Sequence, residues 1–383
     1  MKKLIINLVG AYDRFNYGDM LFPYIIEYIL DKNFISYELT CYGLRKSDFT
    51  NVGAKETKRM AEMPMDGYVI VAGGDTMVAN IQFLYLDNIE SKIQLLFERF
   101  IRKILGGNYV QLVKKRTQID NSYPYDIDYT NTIYNAVGGC GLNEIADSDS
   151  VKSVVLKAKY IGVRDIATKR ALDNCNVKLV PDTVTIISDI WKYESLKAEL
   201  NNKYIELRDK YIVIQIHGKV DEKSIDVLKE IIEELYMEKN MKVVLLPLGR
   251  AISHGDIKGL KKLHRKTQEI CYFYDNISLR EITMILACSE GFIGTSLHGN
   301  IVTCSYGKKS ILLAEENSKN WWYWKTWWQN SNCELASFDN LKEKLKSLFE
   351  RYDSSKLQEQ KELVYKHFQQ QVMIMKKDLS EEN

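Results

Sequence analysis

The sequence predicts an α/β protein built from two open α/β units, each with parallel strands joined by helical crossovers. Short apolar runs alternate with longer stretches of helical periodicity along most of the chain. The length of 383 residues fits two domains at roughly 150 residues each. A polar stretch with few strand signals, 189–209, separates the halves. We therefore expect domains at 1–190 and 205–335, facing across a cleft, and a charged helical tail at 339–383.

The first half carries four apolar runs that predict strands. These runs are 3–9, 68–72, 132–137 and 160–163, and helical periodicity lies between them at 20–30 and 89–104. Residues 106–130 break the alternation because they are polar. We expect them to form a long surface loop, and a loop of that length is often functional.

The second half repeats this organisation. Its predicted strands are 211–216, 242–246, 270–274, 292–294 and 310–313, and its predicted helices are 222–238, 256–267, 278–288 and 300–306. In open α/β sheets, ligands bind beyond the carboxyl ends of the strands. We therefore expect functional residues directly after the strands.

Charge and composition exclude several classes of protein. Lys and Arg number 53 and Asp and Glu 51, so bulk electrostatic binding of nucleic acid is not expected. With 45% apolar residues and only five prolines, the chain is typical of a packed protein. No apolar run approaches the length of a membrane span. The short N-terminal run contains Asn7 and predicts a buried strand rather than a signal peptide.

Cysteine and histidine spacing argues against a metal site. No two of the seven cysteines lie closer than 16 residues, which disfavours a zinc ribbon or a redox pair. Several lie in apolar stretches, where a reduced cysteine acts as a small hydrophobic residue. No histidines show HxH or HExxH spacing. We expect a reducing, cytoplasmic location, with no metal and no bound cofactor.

Glycine-bearing turns follow three strands of the first half, at 10–19, 73–74 and 138–141. Such turns bring backbone N–H groups close to anions or polar ligands. The candidate binding residues in the first two turns are Asn16, Gly18, Asp19, Gly73, Gly74 and Asp75. The structural alternatives are that Asn16 shapes its turn, that Asp19 caps a helix, and that the glycines form an ordinary turn.

Arg164 ends the fourth predicted strand, so its side chain is expected to point into the cleft. A planar guanidinium can bind two oxygens of a carboxylate or a phosphate. The alternative is a structural ion pair with Asp182 or Asp165.

The segment 295–299, Thr-Ser-Leu-His-Gly, joins a strand to a helix and is the most informative motif. It gathers hydroxyls, an imidazole and a helix N-terminus. His298 can exchange a proton near neutral pH. His217 and His254 also follow strands, and His217 could face the same cleft. His264 and His367 lie on charged helices, where we expect them to be solvated.

Five of the six tryptophans lie within 321–328. Such a cluster could stack against sugars or fill a space between domains, and aromatic area is usually buried.

Taken in order, these motifs resemble the polysaccharide pyruvyl transferase family. The matching residues are Asn16-Tyr17-Gly18-Asp19, Gly73-Gly74, Val163-Arg164-Asp165, Pro181-Asp182, Ser296-Leu297-His298-Gly299 and Gly307. The resemblance spans roughly 4–315. It implies two facing Rossmann-like domains, as in GT-B glycosyltransferases. It also implies transfer of pyruvate from phosphoenolpyruvate onto sugar hydroxyls of a surface polysaccharide or its precursor, as a ketal.

The resemblance also implies roles for the candidate residues. His298 would be the general acid, and the six first-half candidates would bind the acceptor. Donor binding would fall to Arg164, Ser296, Leu297, Gly299, Arg250 and His217. The family usually has arginine where this chain has Ser296, which can hydrogen-bond an oxygen but cannot neutralise charge. Arg250, Lys219, Lys308 or Lys309 would then have to compensate.

The expected partners are phosphoenolpyruvate and a glycan or lipid-linked sugar acceptor, without nucleic acid or a membrane span. Peripheral membrane association and the oligomeric state stay open. Two alternatives also stay open. One is a GT-B glycosyltransferase, which would bind a nucleoside diphosphate in the C-terminal domain. The other is a non-catalytic relative, which the departure at Ser296 suggests.

Overall fold

A computed structural model describes residues 3–34, 36–251 and 255–381. The chain divides into two compact units. The first comprises mainly the residues up to Thr183 together with those from Glu362 onward, and the second comprises most of 184–361. Within the described residues, no helix combines the length and the apolar character that crossing a membrane requires.

The first unit is built on a parallel sheet of seven strands, in the order β3-β2-β1-β4-β5-β6-β7. The strands are β1 (Leu4–Val9), β2 (Tyr37–Gly43), β3 (Thr57–Arg59), β4 (Tyr68–Ala72), β5 (Thr132–Val137), β6 (Tyr160–Val163) and β7 (Lys178–Leu179). β4 and β5 are buried along their whole length. β4 therefore appears in the sequence as a continuous apolar run, and β5 as a mostly apolar one that includes Asn135.

Among the described residues before Thr183, six helices accompany this sheet. They are α1 (Phe22–Asn33), α2 (Ile81–Asp87), α3 (Lys92–Leu105), α4 (Tyr109–Thr117), α5 (Ser148–Val155) and α6 (Ile166–Leu172). The side chains of Asn80, Ser91 and Asp165 cap α2, α3 and α6 by accepting from a backbone N–H two or three residues later. These caps fix where the three helices begin.

The second unit is built on a parallel sheet of six strands, in the order β10-β9-β8-β11-β12-β13. The strands are β8 (Tyr211–Gln215), β9 (Lys242–Leu245), β10 (Cys271–Phe273), β11 (Gly291–Gly294), β12 (Lys309–Leu313) and β13 (Cys333–Ala336). In both sheets the strand order reverses beside the first strand, between β1 and β4 and between β8 and β11. This is the Rossmann-like arrangement, in which ligands bind at the point of reversal.

The helices of the second unit are α7 (Ile187–Ile190), α8 (Tyr193–Lys203), α9 (Glu222–Met237), α10 (Asp256–Thr267), α11 (Leu279–Cys288), α12 (Leu297–Ser305), α13 (Lys319–Trp327) and α14 (Leu341–Leu345). Ser278 and Glu281 form a reciprocal capping box at the start of α11. Apolar residues of α9 pack against the inner strands to form the core of this unit.

The last helix, α15 (Ser355–Glu381), joins the first unit from Glu362 onward. Phe368, Val372 and Met375 line a small apolar cavity together with side chains of α1 and β4. The unit boundaries therefore differ from the predicted 1–190, 205–335 and 339–383, because the C-terminal segment contributes its apolar residues to the first unit.

His367 on α15 is 2% exposed, so the prediction that it is solvated is wrong. Its Nε2 lies 2.7 Å from Asn135 Oδ1 on β5. Its Nδ1 lies 2.8 Å from the hydroxyl of Tyr160 on β6. A Cβ at Gly162 would lie 2.4 Å from the imidazole Cε1, so glycine at that position gives the ring its space. Burial lowers the pKa of His367 to about 3.

The predicted loop at 106–130 is also largely wrong. Residues 109–117 form α4, with Tyr109 and Val113 buried. Tyr123 and Tyr125, which follow this helix, are buried as well. The segment is polar overall, but one face of α4 is apolar. This face and the two tyrosines are buried in the core.

Candidate active site

In the first unit, the turns that follow β1 and β4 meet at the point of strand reversal. The Nδ2 of Asn16 donates to Asp19 Oδ2 at 2.8 Å. Asp19 Oδ1 lies beside the second turn, 3.5 Å and 3.4 Å from where a Cβ would stand on Gly73 and Gly74. The structure therefore brings together the candidate residues of the two turns at one edge of the sheet.

Of the three structural alternatives, helix capping by Asp19 is not observed, whereas Asn16 does bond within its turn and Gly73 has a backbone conformation that favours glycine. Gly18 and Asp19 lie at the start of a short 3₁₀ turn, and neither the turn nor α1 has a side-chain cap. Gly73 has a φ of +122°, which L side chains rarely adopt. The buried Asp19 carboxylate and the backbone of the second turn therefore lie together at this sheet edge.

Arg164 is 2% exposed and is held by two carboxylates of its own unit. Its Nη2 lies 3.0 Å from Asp75 Oδ1, and its Nη1 lies 3.1 Å from Asp182 Oδ2. Burial alone would lower the pKa of Arg164, but these carboxylates outweigh it and hold the pKa above its ordinary value. Gly138 packs against the pair, because a Cβ there would lie 2.2 Å from Asp75 Oδ1.

The structural ion pair between Arg164 and Asp182 is therefore present, and Asp75 extends it. The Arg164 guanidinium and the Asp75 carboxylate are thus engaged with each other within the first unit. Their roles in donor and acceptor binding stay predictions.

In the second unit, the segment 295–299 lies at the point of reversal between β8 and β11. Ser296 is the N-cap of α12, and its Oγ accepts from the Gly299 N–H at 3.2 Å. The backbone N–H of Ser296 donates to Gln215 Oε1 at 2.9 Å. His298 is the second residue of α12 and is 8% exposed. The helix begins at Leu297, three residues earlier than the sequence suggested.

Gly299 and Leu297 have structural roles at the start of α12. The N–H of Gly299 is used by the cap, so it is not available to a donor as expected. A Cβ on Gly299 would lie 2.5 Å from Phe292 Cζ and 2.7 Å from Leu248 Cδ1. Glycine therefore lets α12 pack closely on its sheet. Leu297 is buried.

A buried hydrogen-bond chain supports this loop. Gln215 Nε2 donates to Asp256 Oδ2 at 2.9 Å. The same oxygen accepts from the N–H groups of Leu248 and Gly249 at 3.1 Å and 2.8 Å. Burial raises the pKa of Asp256 to about 6, although these hydrogen bonds oppose the shift. Asp256 thereby connects the carboxyl ends of β8 and β9 to Ser296 through Gln215.

Sequence reasoning missed Gln215 and Asp256. Each carried a signal, because Gln215 is the polar residue at the end of an apolar strand and Asp256 begins a helix after a glycine. Neither signal shows whether the side chain supports a site through hydrogen bonds or is simply solvated.

His217, Lys219 and Arg250 follow β8 and β9 at the same edge of the sheet. His217 Nδ1 accepts from the Lys219 backbone N–H at 3.0 Å. Burial, together with Lys219, lowers the pKa of His217. Arg250 Nη2 donates to the carbonyl of Ile277 at 2.7 Å, and burial lowers its pKa. His254 lies outside the described residues.

Lys308 and Lys309 do not lie at this edge. Lys309 is the first residue of β12 and pairs with Gly291 at the start of β11. The motif with His298 follows Gly294, at the other end of β11. The expectation that these lysines replace the missing arginine is therefore wrong.

The tryptophan cluster divides into a buried part and a half-buried part. Trp328 packs on Tyr323 in the core, with ring centroids 4.9 Å apart. Trp321 and Trp322 are half-buried and meet edge to face. Asn320, just before them, donates to the carbonyl of Thr295 at 2.8 Å. The start of α13 therefore lies beside the segment that carries His298.

Across residues 3–34, 36–251 and 255–381, no three His, Cys, Asp or Glu side chains come together in a way that could hold a metal ion. The candidate site of the second unit is thus an imidazole at a helix N-terminus, with an arginine and a lysine after neighbouring strands.

Comparison with solved structures shows the fold. The UDP-GlcNAc 2-epimerase of Methanocaldococcus jannaschii, solved with UDP-GlcNAc and UDP, has a TM-score of 0.52 at 12% identity, with 95% of this chain and 99% of the epimerase covered. The enzyme of the same name from Neisseria meningitidis, bound to UDP-GlcNAc, also has a TM-score of 0.52 at 12% identity, with 99% and 100% covered. The chain shares the GT-B fold with these proteins.

Comparison by sequence identifies a family but no individual relative. No curated protein matches the chain. The family model for polysaccharide pyruvyl transferases, however, matches residues 16–317. That range covers well over half of the chain and includes every candidate site residue from Asn16 to Gly299. The protein therefore belongs to the polysaccharide pyruvyl transferase family.

Proposed function

We propose that the protein transfers the pyruvyl group of phosphoenolpyruvate to two hydroxyls of one sugar in a surface polysaccharide or its precursor. The product is a ketal, and phosphate is released. The observation that carries the proposal is the position of His298 in the first turn of α12, at the strand reversal of the second unit, in a chain that belongs to this family.

The chemistry needs a proton donor. The methylene carbon of the enol takes up a proton, which makes the carbon that bears the carboxylate electrophilic. One sugar hydroxyl adds to that carbon and loses its proton. The bond from this carbon to the phosphate oxygen then breaks and phosphate leaves with the electron pair. The second hydroxyl adds to the same carbon and loses its proton, which closes the ketal. We assign to His298 the protonation of the enol carbon or of the leaving phosphate.

The donor also carries negative charge on its carboxylate and its phosphate. The N–H groups of Leu297 and His298 lie in the first turn of α12, where backbone donors and the helix dipole favour anions. Lys219 and Arg250 follow neighbouring strands at the same sheet edge. We assign donor binding to these groups, with His217 beside them, instead of to Arg164.

For the acceptor we retain Asn16, Gly18, Asp19, Gly73 and Gly74. Asp19 is a buried carboxylate that already accepts from Asn16. It is suited to accept a hydrogen bond from a sugar hydroxyl beside a backbone that glycine leaves open.

Ligand-induced thermal stabilisation tests the donor. A ligand that binds only the folded state raises the melting temperature. We expect phosphoenolpyruvate to raise the Tm of the full chain and UDP or GDP to leave it unchanged. Stabilisation by UDP or GDP but not by phosphoenolpyruvate would overturn the proposal. No stabilisation by any of the three would point to a non-catalytic relative.

His298→Ala tests the mechanism. Loss of a general acid costs on the order of 100-fold or more in rate, and we expect that loss in phosphate release from phosphoenolpyruvate once an acceptor is supplied. His264→Ala is the matched control, because His264 stacks on Phe273 along α10, away from the motif. Turnover by His298→Ala at the wild-type rate would remove this residue from the mechanism.

The second candidate function is a glycosyltransferase that uses a nucleotide sugar. Two observations favour it. Ser296 cannot supply the charge of the usual arginine, and the structurally similar epimerases were solved with UDP-GlcNAc or UDP. The UDP measurement above separates this candidate from the first.

A further inference from the structure

Helix α3 (Lys92–Leu105) turns an apolar face to solvent. It contacts its own unit through the buried side chains Leu95 and Glu98. On the opposite side lie five large apolar side chains that are 59% to 81% exposed. These residues, called the apolar stripe below, are Ile93, Leu96, Phe97, Phe100 and Ile104.

The spacing of the stripe is that of one helix face. Each member lies three or four residues from another member between Ile93 and Ile104, and Leu96 and Phe97 lie side by side, so the five form one continuous face. Single exposed apolar residues are ordinary on a protein surface, but a contiguous exposed row marks an interaction surface.

Basic residues border the stripe. Lys92, Arg99 and Lys103 are exposed along one side of it. The only acidic residue in α3 is Glu98, which is buried. Its carboxylate is neutralised by an ion pair with Arg116 at 2.6 Å, with a further hydrogen bond from the Tyr109 hydroxyl. The exposed surface of α3 is therefore both apolar and positively charged.

We propose that α3 docks the protein on the surface of an anionic lipid bilayer. The apolar stripe enters the boundary between headgroups and acyl chains, and Lys92, Arg99 and Lys103 contact lipid phosphates. Charge complementarity selects this occupant over a second copy of the chain. A second copy of this face would offer the same positive charge and no exposed carboxylate, because the acidic residue of α3, Glu98, is buried.

This inference does not depend on the donor or on the reaction. It concerns only the position of the protein, and a peripheral enzyme that lies on a membrane can reach an acceptor carried by a lipid. The helix has 14 residues, too short to cross a bilayer, which fits a helix that lies in the interface.

Co-sedimentation of the full chain with lipid vesicles tests the proposal. One set of vesicles contains phosphatidylcholine alone, and the other contains about one third phosphatidylglycerol. We expect the wild type to sediment with the anionic vesicles and to bind the neutral ones at least about tenfold more weakly.

Two variants separate the apolar and the electrostatic contributions. Leu96→Gln/Phe97→Gln/Phe100→Gln removes the centre of the stripe at exposed positions, and we expect it to abolish sedimentation. Lys92→Gln/Arg99→Gln/Lys103→Gln should weaken binding about 100-fold. The matched control is Tyr236→Gln/Met237→Gln, exposed apolar residues near the end of α9, which should bind as the wild type does.

Three outcomes would overturn the proposal. The first is that the wild type fails to sediment with anionic vesicles. The second is that the stripe variant binds as tightly as the wild type while keeping the wild-type Tm. The third is a concentration-dependent dimer that the stripe variant abolishes, without any vesicle binding. That result would assign the face to a second copy of the chain.

Discussion

At Ser296 the hydroxyl oxygen accepts a hydrogen bond from the Gly299 N–H and caps α12. An arginine at this position could neutralise a donor's charge but could not cap the helix in this way. The residue that departs from the family's usual motif therefore stabilises the helix start that holds His298. Serine at position 296 thus supplies the helix cap but not the positive charge that arginine would bring.

Two substitutions at this position separate the two effects. Ser296→Ala and Ser296→Arg both remove the cap, so we expect each to lower the stability by about 1 kcal/mol. Only Ser296→Arg adds a charged donor, so we expect it to tighten phosphoenolpyruvate binding by about tenfold or more. Calorimetric titration and thermal unfolding measure the two effects. Equal affinity in the two variants would show that no donor anion lies near position 296.

Arg164 is predicted to be structural. Its loss would leave the buried Asp182 carboxylate without its ion pair, and removing one partner of a buried pair costs about 3–5 kcal/mol. We expect Arg164→Ala to unfold at a much lower temperature than the wild type. Arg164→Lys should recover part of the loss because it restores one charge. A variant with wild-type Tm that has lost only phosphoenolpyruvate affinity would restore the donor-binding role.

At the scale of the element, α15 is attached to the first unit through a buried polar network. His367 and Gln371 both reach Asn135 Oδ1 on β5, at 2.7 Å and 3.1 Å, and Tyr160 completes the contacts of the imidazole. Since the pKa of His367 is lowered to about 3 by burial, the ring is neutral in the folded state across the physiological range.

This network predicts a pH dependence of stability. The unfolded chain binds a proton at His367 below about pH 6.5, whereas the folded chain does so only near pH 3. The unfolded state therefore binds more protons between these values, and stability falls as the pH falls. The contribution lost between pH 7 and pH 5 is on the order of 2 kcal/mol.

The measurement is the fall in Tm between pH 7 and pH 5 for the wild type and for His367→Gln, with His264→Gln as the control for removal of a histidine. We expect a smaller fall in His367→Gln, even though its Tm at pH 7 is lower. An equal fall in both proteins would mean that His367 titrates normally in the folded state.

Elements differ in how well the sequence predicts them. The sequence predicts nine strands correctly because they are mainly apolar runs, most of them buried. The nine are β1, β4, β5, β6, β8, β9, β10, β11 and β12. Other strands left no such run, because they lie toward the sheet edges, are short, or alternate exposed with buried residues. These are β2, β3, β7 and β13. Helix α4 was missed because five of its nine residues are polar or charged.

At the scale of the whole molecule, the sequence predicted the fold class and the family. Two sheets with the same pattern of strand reversal arise from two series of alternating strands and helices. It also placed Asp19, Gly73 and His298 at carboxyl edges of these sheets. Position along a strand is enough for that conclusion, because parallel strands all end at one edge.

What the sequence could not predict is which polar groups are already bonded. Arg164 is satisfied by Asp75, 89 residues earlier in the chain. Gln215 is satisfied by Asp256, 41 residues later. Such partners are set by tertiary packing, so charge and position alone do not distinguish a ligand-binding side chain from a structural one.

The most direct test of the account is a crystal structure determined after soaking with phosphoenolpyruvate. We predict electron density for the donor at the start of α12, with its phosphate or carboxylate within hydrogen-bonding distance of His298 and the N–H groups of the first helical turn. Density for the donor against Arg164, or a nucleotide but no phosphoenolpyruvate bound at this position, would contradict the account.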